Sequence, residues 1–326
     1  MKFRCFPEAT SPGLSSILVL PVLLLVSTLL LSSTRAEPQT PAPRSQMRGH
    51  MLVSTEWLAN HLNDSAVAVL HVAKDRADYD AGHIPGARFL AVDQITVTRD
   101  KLTNELPSVE ELKKVFASLG VGDRTRVVLY GERLGLWAAR AWFTLDYLGH
   151  GDKAALLDGN IEKWRRENRP LTTDVPSPKH ASFRPHVHPE LLVSLPMVRE
   201  LSSKAQNTTS SPAVLVDARP PEQYRGAENS ADTPRPGRIP GAVSLYWMTA
   251  LESKENPQLL PPQDLRRLFQ SADVNPGRKV VSYCHSGVQA AYNYFLAKYL
   301  GYDAALYDGS FQEWSNAPGT PIVTGR

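Results

Sequence analysis

Short apolar runs and amphipathic stretches alternate along the chain. Val67-Ala68-Val69-Leu70, Val127 to Tyr130, Val214-Leu215-Val216 and Val280 to Tyr283 read as strands buried on both faces, the pattern of parallel sheets. Ser108 to Leu119 has helical spacing, with Ser108 as N-cap and Glu111 completing a capping box. Gly149 and Gly301 stand where helix C-cap glycines belong. This alternation predicts an α/β fold, with mainly parallel sheets carrying helices on both faces. Thr172 to Pro189, with Pro176, Pro178, Pro185 and Pro189, reads as an extended linker. Ser202 to Pro212 reads as an exposed loop.

The pattern occurs twice. Gly82-His83-Ile84-Pro85-Gly86-Ala87 returns as Gly237-Arg238-Ile239-Pro240-Gly241-Ala242. Val127-Val128-Leu129-Tyr130 returns as Val280-Val281-Ser282-Tyr283, and Tyr147-Leu148-Gly149 as Tyr299-Leu300-Gly301. Asp158-Gly159 followed by Trp164 returns as Asp308-Gly309 followed by Trp314. Four matches in one order, all about 150 residues apart, mark a duplicated domain. The boundaries expected are 50–172 for the first copy, 173–190 for the linker and 191–326 for the second.

The start of the chain follows a different rule. Lys2 and Arg4 precede an apolar run from Ile17 to Leu31, and Ser32-Ser33-Thr34-Arg35-Ala36 follow. This is the layout of a secretory signal over residues 1–36, so export to a periplasm or to the outside is expected. An uncleaved anchor is the alternative, and it is the only membrane association foreseen. Among the 326 residues, 42% are hydrophobic and 21% charged, enough for a globular core. A formal net charge of +3 without basic runs does not suggest a nucleic-acid partner. Two cysteines exclude a disulfide scaffold and a thiolate zinc site, and no metal site is expected. Cleavage would remove Cys5 and leave Cys284 alone.

Cys284 ends the strand Val280 to Tyr283 and is followed by His285-Ser286-Gly287-Val288-Gln289 and a helix running to Leu300. It therefore stands at the carboxyl edge of a parallel sheet, where such folds bind ligands. Free amides and the helix dipole at that point favour an anion, whether a thiolate of lowered pKa, a persulfide or an oxyanion bound beside it.

The duplicated Gly-x-Ile-Pro-Gly-Ala, the Asp-Gly-x-x-x-x-Trp and the loop Cys284 to Gln289 together resemble the two-domain rhodanese family, the thiosulfate and 3-mercaptopyruvate sulfurtransferases. The resemblance implies tandem rhodanese-like domains. It also implies that Cys284 takes a sulfane sulfur from a donor as a persulfide and passes it to cyanide or a thiol, without a cofactor. The loop residues His285, Ser286, Gly287, Val288 and Gln289 would surround that sulfur. The first copy has Gly131 in place of the cysteine and should be silent. Asp217, Arg219 and Glu222 match a structural brace. Ser286 agrees with the mercaptopyruvate loop Cys-Gly-Ser-Gly-Val-Thr. The lysine of the thiosulfate loop Cys-Arg-Lys-Gly-Val-Thr is absent, while His285 and Gln289 match neither. Arg235 matches a carboxylate-binding arginine, Gln223 occupies the place of its partner, and Arg225 is close by. His83 matches a first-copy histidine placed near the cleft in some members.

Other readings are weaker. A cysteine phosphatase needs a longer Cys-x₅-Arg loop, and position 290 is Ala. A cysteine hydrolase could use His285, but no third orienting residue is evident in the sequence. A non-enzymatic persulfide carrier or redox-sensing module stays open.

Overall fold

The computed structural model describes residues 46–207 and 211–325; the signal-like segment 1–36 lies outside them. The first half runs β1 (Leu52–Val53), α1 (Thr55–Asn60), β2 (Val67–Ala73), α2 (Ala77–Ala81), β3 (Arg88–Ala91), β4 (Val97–Arg99), β5 (Leu102–Glu105), α3 (Val109–Ser118), β6 (Arg126–Gly131), α4 (Glu132–Tyr147), β7 (Ala154–Leu157) and α5 (Asn160–Arg166). The second runs α6 (Leu195–Asn207), β8 (Ala213–Asp217), α7 (Pro221–Arg225), β9 (Val243–Ser244), α8 (Pro262–Ser271), β10 (Lys279–Tyr283), α9 (Val288–Tyr299), β11 (Ala304–Leu306) and α10 (Ser310–Asn316). The sheets are β1-β7-β6-β2-β3 and β11-β10-β8-β9, with every pairing parallel. A short antiparallel pair, β4–β5, projects from the first half.

The repeated motifs turn out to be fastenings. In the first half the Tyr130 hydroxyl accepts from the Ile84 amide at 3.1 Å, and Tyr79 donates to the Ala87 carbonyl at 2.8 Å. In the second, Tyr283 accepts from Ile239 at 3.3 Å and Tyr224 donates to Ala242 at 2.8 Å. Both tryptophans of the Asp-Gly motif are fully buried and donate Nε1–H to a proline carbonyl, Trp164 to Pro170 and Trp314 to Pro321. These buried hydroxyl and indole groups satisfy backbone atoms that would otherwise be costly to bury.

The two halves pack through α4 and α9, and the Asp-Gly aspartates reach across in both directions. Asp158 accepts from the Leu259 amide at 3.0 Å, and Asp308 accepts from the Leu106 amide at 3.2 Å. Asp308 also forms a two-pronged ion pair with Arg140 of α4, at 2.6 and 3.1 Å, with side-chain exposures of 9% and 0%. Leu136, Trp142, Tyr294 and Phe295 belong to one continuous hydrophobic core that spans both halves.

Two expectations change. The exposed loop foreseen from Ser202 begins later, because α6 continues to Asn207 and buries Ser202, whose hydroxyl bonds the Pro240 carbonyl. The linker is extended, as its prolines require, yet it is laid along the first half: Ala181, His186 and His188 donate their amides to Ala117, Leu148 and Tyr147. Phe183 is buried there against Phe116.

Candidate active site

Cys284 follows β10 and is 1% exposed. The chain then turns through Gly287 at φ +81° into α9. Only glycine fits that turn: a Cβ would lie 2.5 Å from the Asp308 carboxylate, in a left-handed conformation. The turn aims the backbone amides of Ser286, Gln289 and Ala290 at Sγ of Cys284. Ser310 supports it from behind, its hydroxyl accepting from the amides of Cys284 at 3.1 Å and Gly287 at 3.0 Å while donating to Tyr307.

The charge state of the thiol differs from the sequence expectation. Burial pushes the Cys284 thiol above the usual cysteine range; the three amides pull it down, and the negative charge of Asp217 adds to the rise. Desolvation disfavours a bare thiolate more than the amides favour it. The loop is therefore a cradle for a neutral thiol at rest.

A cleft of about 190 Å³ opens beside Cys284. Its second-half wall is His285, Ser286, Val288 and Gln289. Its other wall comes from the first half: Lys74, Asn104, Arg133, Leu136 and Trp137. Asn104 donates Nδ2–H to the Ser286 hydroxyl at 2.9 Å and passes its own carbonyl to Arg140 at 2.5 Å. His285 donates Nε2–H to Asp232 at 3.0 Å, and Asp232 also accepts from Gln312 at 2.9 Å. Asp232 is the orienting group that sequence reading did not find beside His285. It lies in the irregular stretch between α7 and β9, where no pattern marks it. Two polar atoms near the cleft are buried without a partner, Trp137 Nε1 and Gln289 Oε1.

The loop residues His285, Ser286, Val288 and Gln289 thus gather at one place with Cys284, and Gly287 sets the turn. Three other expected residues do not join them. Arg235 has every guanidinium nitrogen bonded to the C-terminal segment, at the carbonyls of Trp314, Ser315, Ala317 and Thr320 and the Thr320 hydroxyl, between 2.6 and 3.1 Å. It fastens the chain end, with its guanidinium committed to that segment and absent from the lining of the cleft. Arg225 is exposed and paired with Glu222 at 2.9 Å. His83 is fully buried, stacked on Tyr79 at 3.7 Å, with its ring nitrogens facing the carbonyls of Tyr79 and Asp174. Its backbone bridges to Thr172 just as that of Arg238 bridges to Val323, so it belongs to the repeated fastening. The brace holds in part: Arg219 forms a buried fork on Asp217 and bonds the Gly237 carbonyl, whereas Glu222 is engaged with Arg225.

The first half lacks this equipment. Gly131 extends β6 one residue further, opposite Val72, and a Cβ there would lie 1.9 Å from the Val72 carbonyl oxygen. A cysteine cannot occupy that backbone. His71 stands where the second half has Asp217, and burial lowers its pKa to about 4, leaving it neutral. No group of three or more His, Cys, Asp or Glu side chains able to hold a metal occurs among the described residues. Nor is any helix among them long and apolar enough to cross a membrane.

A duplicated α/β domain with a single cysteine cradled at the edge of its second sheet defines a rhodanese-type protein. The chain belongs to the rhodanese family: the rhodanese-like domain matches residues 54–167 and again 198–317. It is 36% identical to the sulfur carrier protein TtuD of Thermus thermophilus, over 85% of this chain and 97% of that one. It is 31% identical to the thiosulfate sulfurtransferase of Corynebacterium glutamicum, over 89% and 97%. It is 32% identical to the 3-mercaptopyruvate sulfurtransferase of Homo sapiens, over 81% and 91%. Among solved structures, a complex of EanB with ergothioneine superposes with a TM-score of 0.75 at 24% identity, covering 86% of this chain and 71% of that one.

Proposed function

We propose that the protein is a sulfurtransferase that carries a sulfane sulfur as a persulfide on Cys284. The observation that carries this reading is the thiol aimed at by the amides of Ser286, Gln289 and Ala290 at the floor of the cleft. Such amides stabilise negative charge on an outer sulfur without any cofactor. With thiosulfate as donor, the Cys284 thiolate attacks the outer sulfur. The donor's S–S bond breaks, sulfite leaves with the electron pair, and the persulfide anion remains. Cyanide or a thiolate then attacks that outer sulfur and restores the cysteine thiolate. Thiosulfate or a related donor is the reading kept, and 3-mercaptopyruvate the alternative. The named functions of the relatives, sulfurtransferase and sulfur carrier, support both a catalytic and a carrier role.

His285 serves the second step. Its Nε2–H is engaged by Asp232, so in the neutral ring Nδ1 is the accepting nitrogen, available to take the proton of an incoming thiol. We further propose that residues 1–36 export the chain, which leaves Cys284 as its one cysteine; a reporter fused to residues 1–40 and retained in the cytoplasm would refute this.

Mass spectrometry tests the central reading. Protein lacking residues 1–36 should gain one sulfur, about 32 Da, from thiosulfate, and Cys284→Ser should gain none. Undiminished transfer by Cys284→Ser would overturn it. Continuous release of sulfite with cyanide present marks an enzyme, whereas a single loading that only a partner protein discharges marks a carrier.

A further inference from the structure

We infer that the catalytically silent half reads the anionic end of the donor: Lys74, held over the Trp137 ring, and Arg133 bind the oxyanion while Cys284 takes the sulfur. This rests on the function proposed above and adds to it the residues and the donor class. The cationic side chains lining the cleft are both first-half residues, Lys74 and Arg133. Both are exposed, and neither forms an ion pair among the described residues. The neighbouring carboxylate, Glu132, is bonded to the Lys74 backbone amide and not to its ammonium. The ammonium lies 5.4 Å from the centre of the Trp137 ring, which keeps it over the cleft. Trp137 itself is 2% exposed, so its ring is a fixed platform for that ammonium.

Backbone strain points to the same place. Arg133, Leu134 and Gly135 have φ of +55°, +60° and +80°, a left-handed run at the entrance to α4. Left-handed non-glycine residues are costly, and they cluster at functional sites. Here the run places Arg133 in the lining of the cleft beside the neighbouring half's cysteine, and also of a first-half cavity of about 290 Å³ bounded by His71, Glu132 and Arg165. The second half contributes no Lys or Arg to the lining of this cleft.

The donor class follows from the arrangement. The two cations come from two places, the turn after β2 and the left-handed run. Cations converging from separate places suit the diverging oxygens of a tetrahedral sulfo group. The cleft, at about 190 Å³, holds a small ligand only. The donors that fit are thiosulfate and small thiosulfonates. Their sulfane sulfur bonds to Cys284, their S–S bond breaks, and sulfite or a sulfinate leaves with the electron pair.

The test separates loading from discharge. Lys74→Ala and Arg133→Ala should each raise the KM for thiosulfate about tenfold, and the pair about a hundredfold, with kcat within about twofold. Lys74→Arg should keep most of the affinity. The wild-type KM should rise with salt, and the double variant should lose that dependence. Discharge of preloaded persulfide to cyanide should fall by less than loading does in all of them. The loss with 3-mercaptopyruvate should be smaller. Unaltered KM in the double variant, or an equal loss in discharge, overturns the inference. Loading of the wild type by 3-mercaptopyruvate alone overturns the donor class. A wild type that takes no sulfur on Cys284 from either donor refutes the proposed function itself.

Discussion

Replacing Arg140 by Met should destabilise the whole molecule and slow persulfide loading together. Arg140 leaves α4 fully buried and grips Asp308 with two hydrogen bonds, at 2.6 and 3.1 Å, and the Asn104 carbonyl with a third at 2.5 Å. Arg140→Met removes all three and strands the Asp308 carboxylate, 9% exposed, with the Leu106 amide as its remaining donor among the described residues. Breaking one side of a buried pair costs about 3–5 kcal/mol, most of it the penalty of the uncompensated charge. Against a typical total of about 5–15 kcal/mol this is a large fraction. In a chain of this size it lowers Tm by roughly 6–15 °C. Asp308→Asn should cost a comparable amount by leaving Arg140 without a counter-charge. The double variant should cost at least about 2 kcal/mol less than the two singles added together, because no charge is then stranded. The assay is denaturant unfolding followed by both tryptophan fluorescence and circular dichroism, since a two-half chain needs coincident transitions before one ΔG is meaningful. Asp308 also packs against Gly287, so rates of sulfur loading should fall in Arg140→Met even where the protein is fully folded. A cost below about 1 kcal/mol for Arg140→Met, or strict additivity in the double variant, would refute the assignment of the pair as the joint between the halves.

Two further outcomes are expected. Asp232→Asn should slow discharge of the persulfide to a thiol at neutral pH by about tenfold or more, because His285 loses the carboxylate that orients it, yet leave thiosulfate loading within about threefold; equal effects on both steps would make Asp232 merely structural. Alkylation of Cys284 by iodoacetamide requires the thiolate, and burial raises this thiol, so the rate should be low at pH 7 and climb to a midpoint above that of a free cysteine, about 8.5; a midpoint below pH 8 would show that the cradle amides outweigh desolvation.

What could be read from the sequence was what lies contiguous in it. The β10–Cys284–α9 segment is one continuous stretch, so a strand pattern, a cysteine and a helix pattern placed the nucleophile at a sheet edge without tertiary information. The duplication was legible for the same reason, since each motif is a local fastening whose partners recur at fixed spacing. The opposite wall of the cleft was not legible. Lys74, Asn104, Arg133 and Trp137 reach Cys284 only because α4 packs on α9, and no local pattern records that contact. Charge at a motif's edge was an unreliable guide. Arg235 sits beside a Gly-x-Ile-Pro-Gly motif, and the sequence could not tell an arginine that binds an anion from one that ties down carbonyls. Helix-terminus reasoning found the cradle but overstated its effect on the thiol, because it left out the desolvation that comes with 1% exposure.

The first half completes the cleft even though it places no cysteine there. In the second half the cradle turns directly after Tyr283, and the cysteine side chain occupies the space this creates. In the first half β6 runs on to Gly131, paired with Val72, so the Val72 backbone fills the place a Cβ would take. The left-handed run that follows at Arg133 to Gly135 then brings Arg133 into the lining of both the first half's own cavity, about 290 Å³, and the cleft beside Cys284. The backbone that leaves no room for a cysteine in the first half thus leads directly into the residues of the cleft wall. The two crossed aspartates hold that wall in register: Asp158 fixes the Leu259 amide, while Asp308 fixes the Leu106 amide two residues beyond Asn104. Because Asp308 also lies against Gly287, any slip between the halves disturbs the persulfide turn and the Asn104–Ser286 contact at once. A cleft assembled this way couples stability of the interface to sulfur transfer, and an isolated second half would keep Cys284 but lose Lys74, Arg133 and Trp137 from the site.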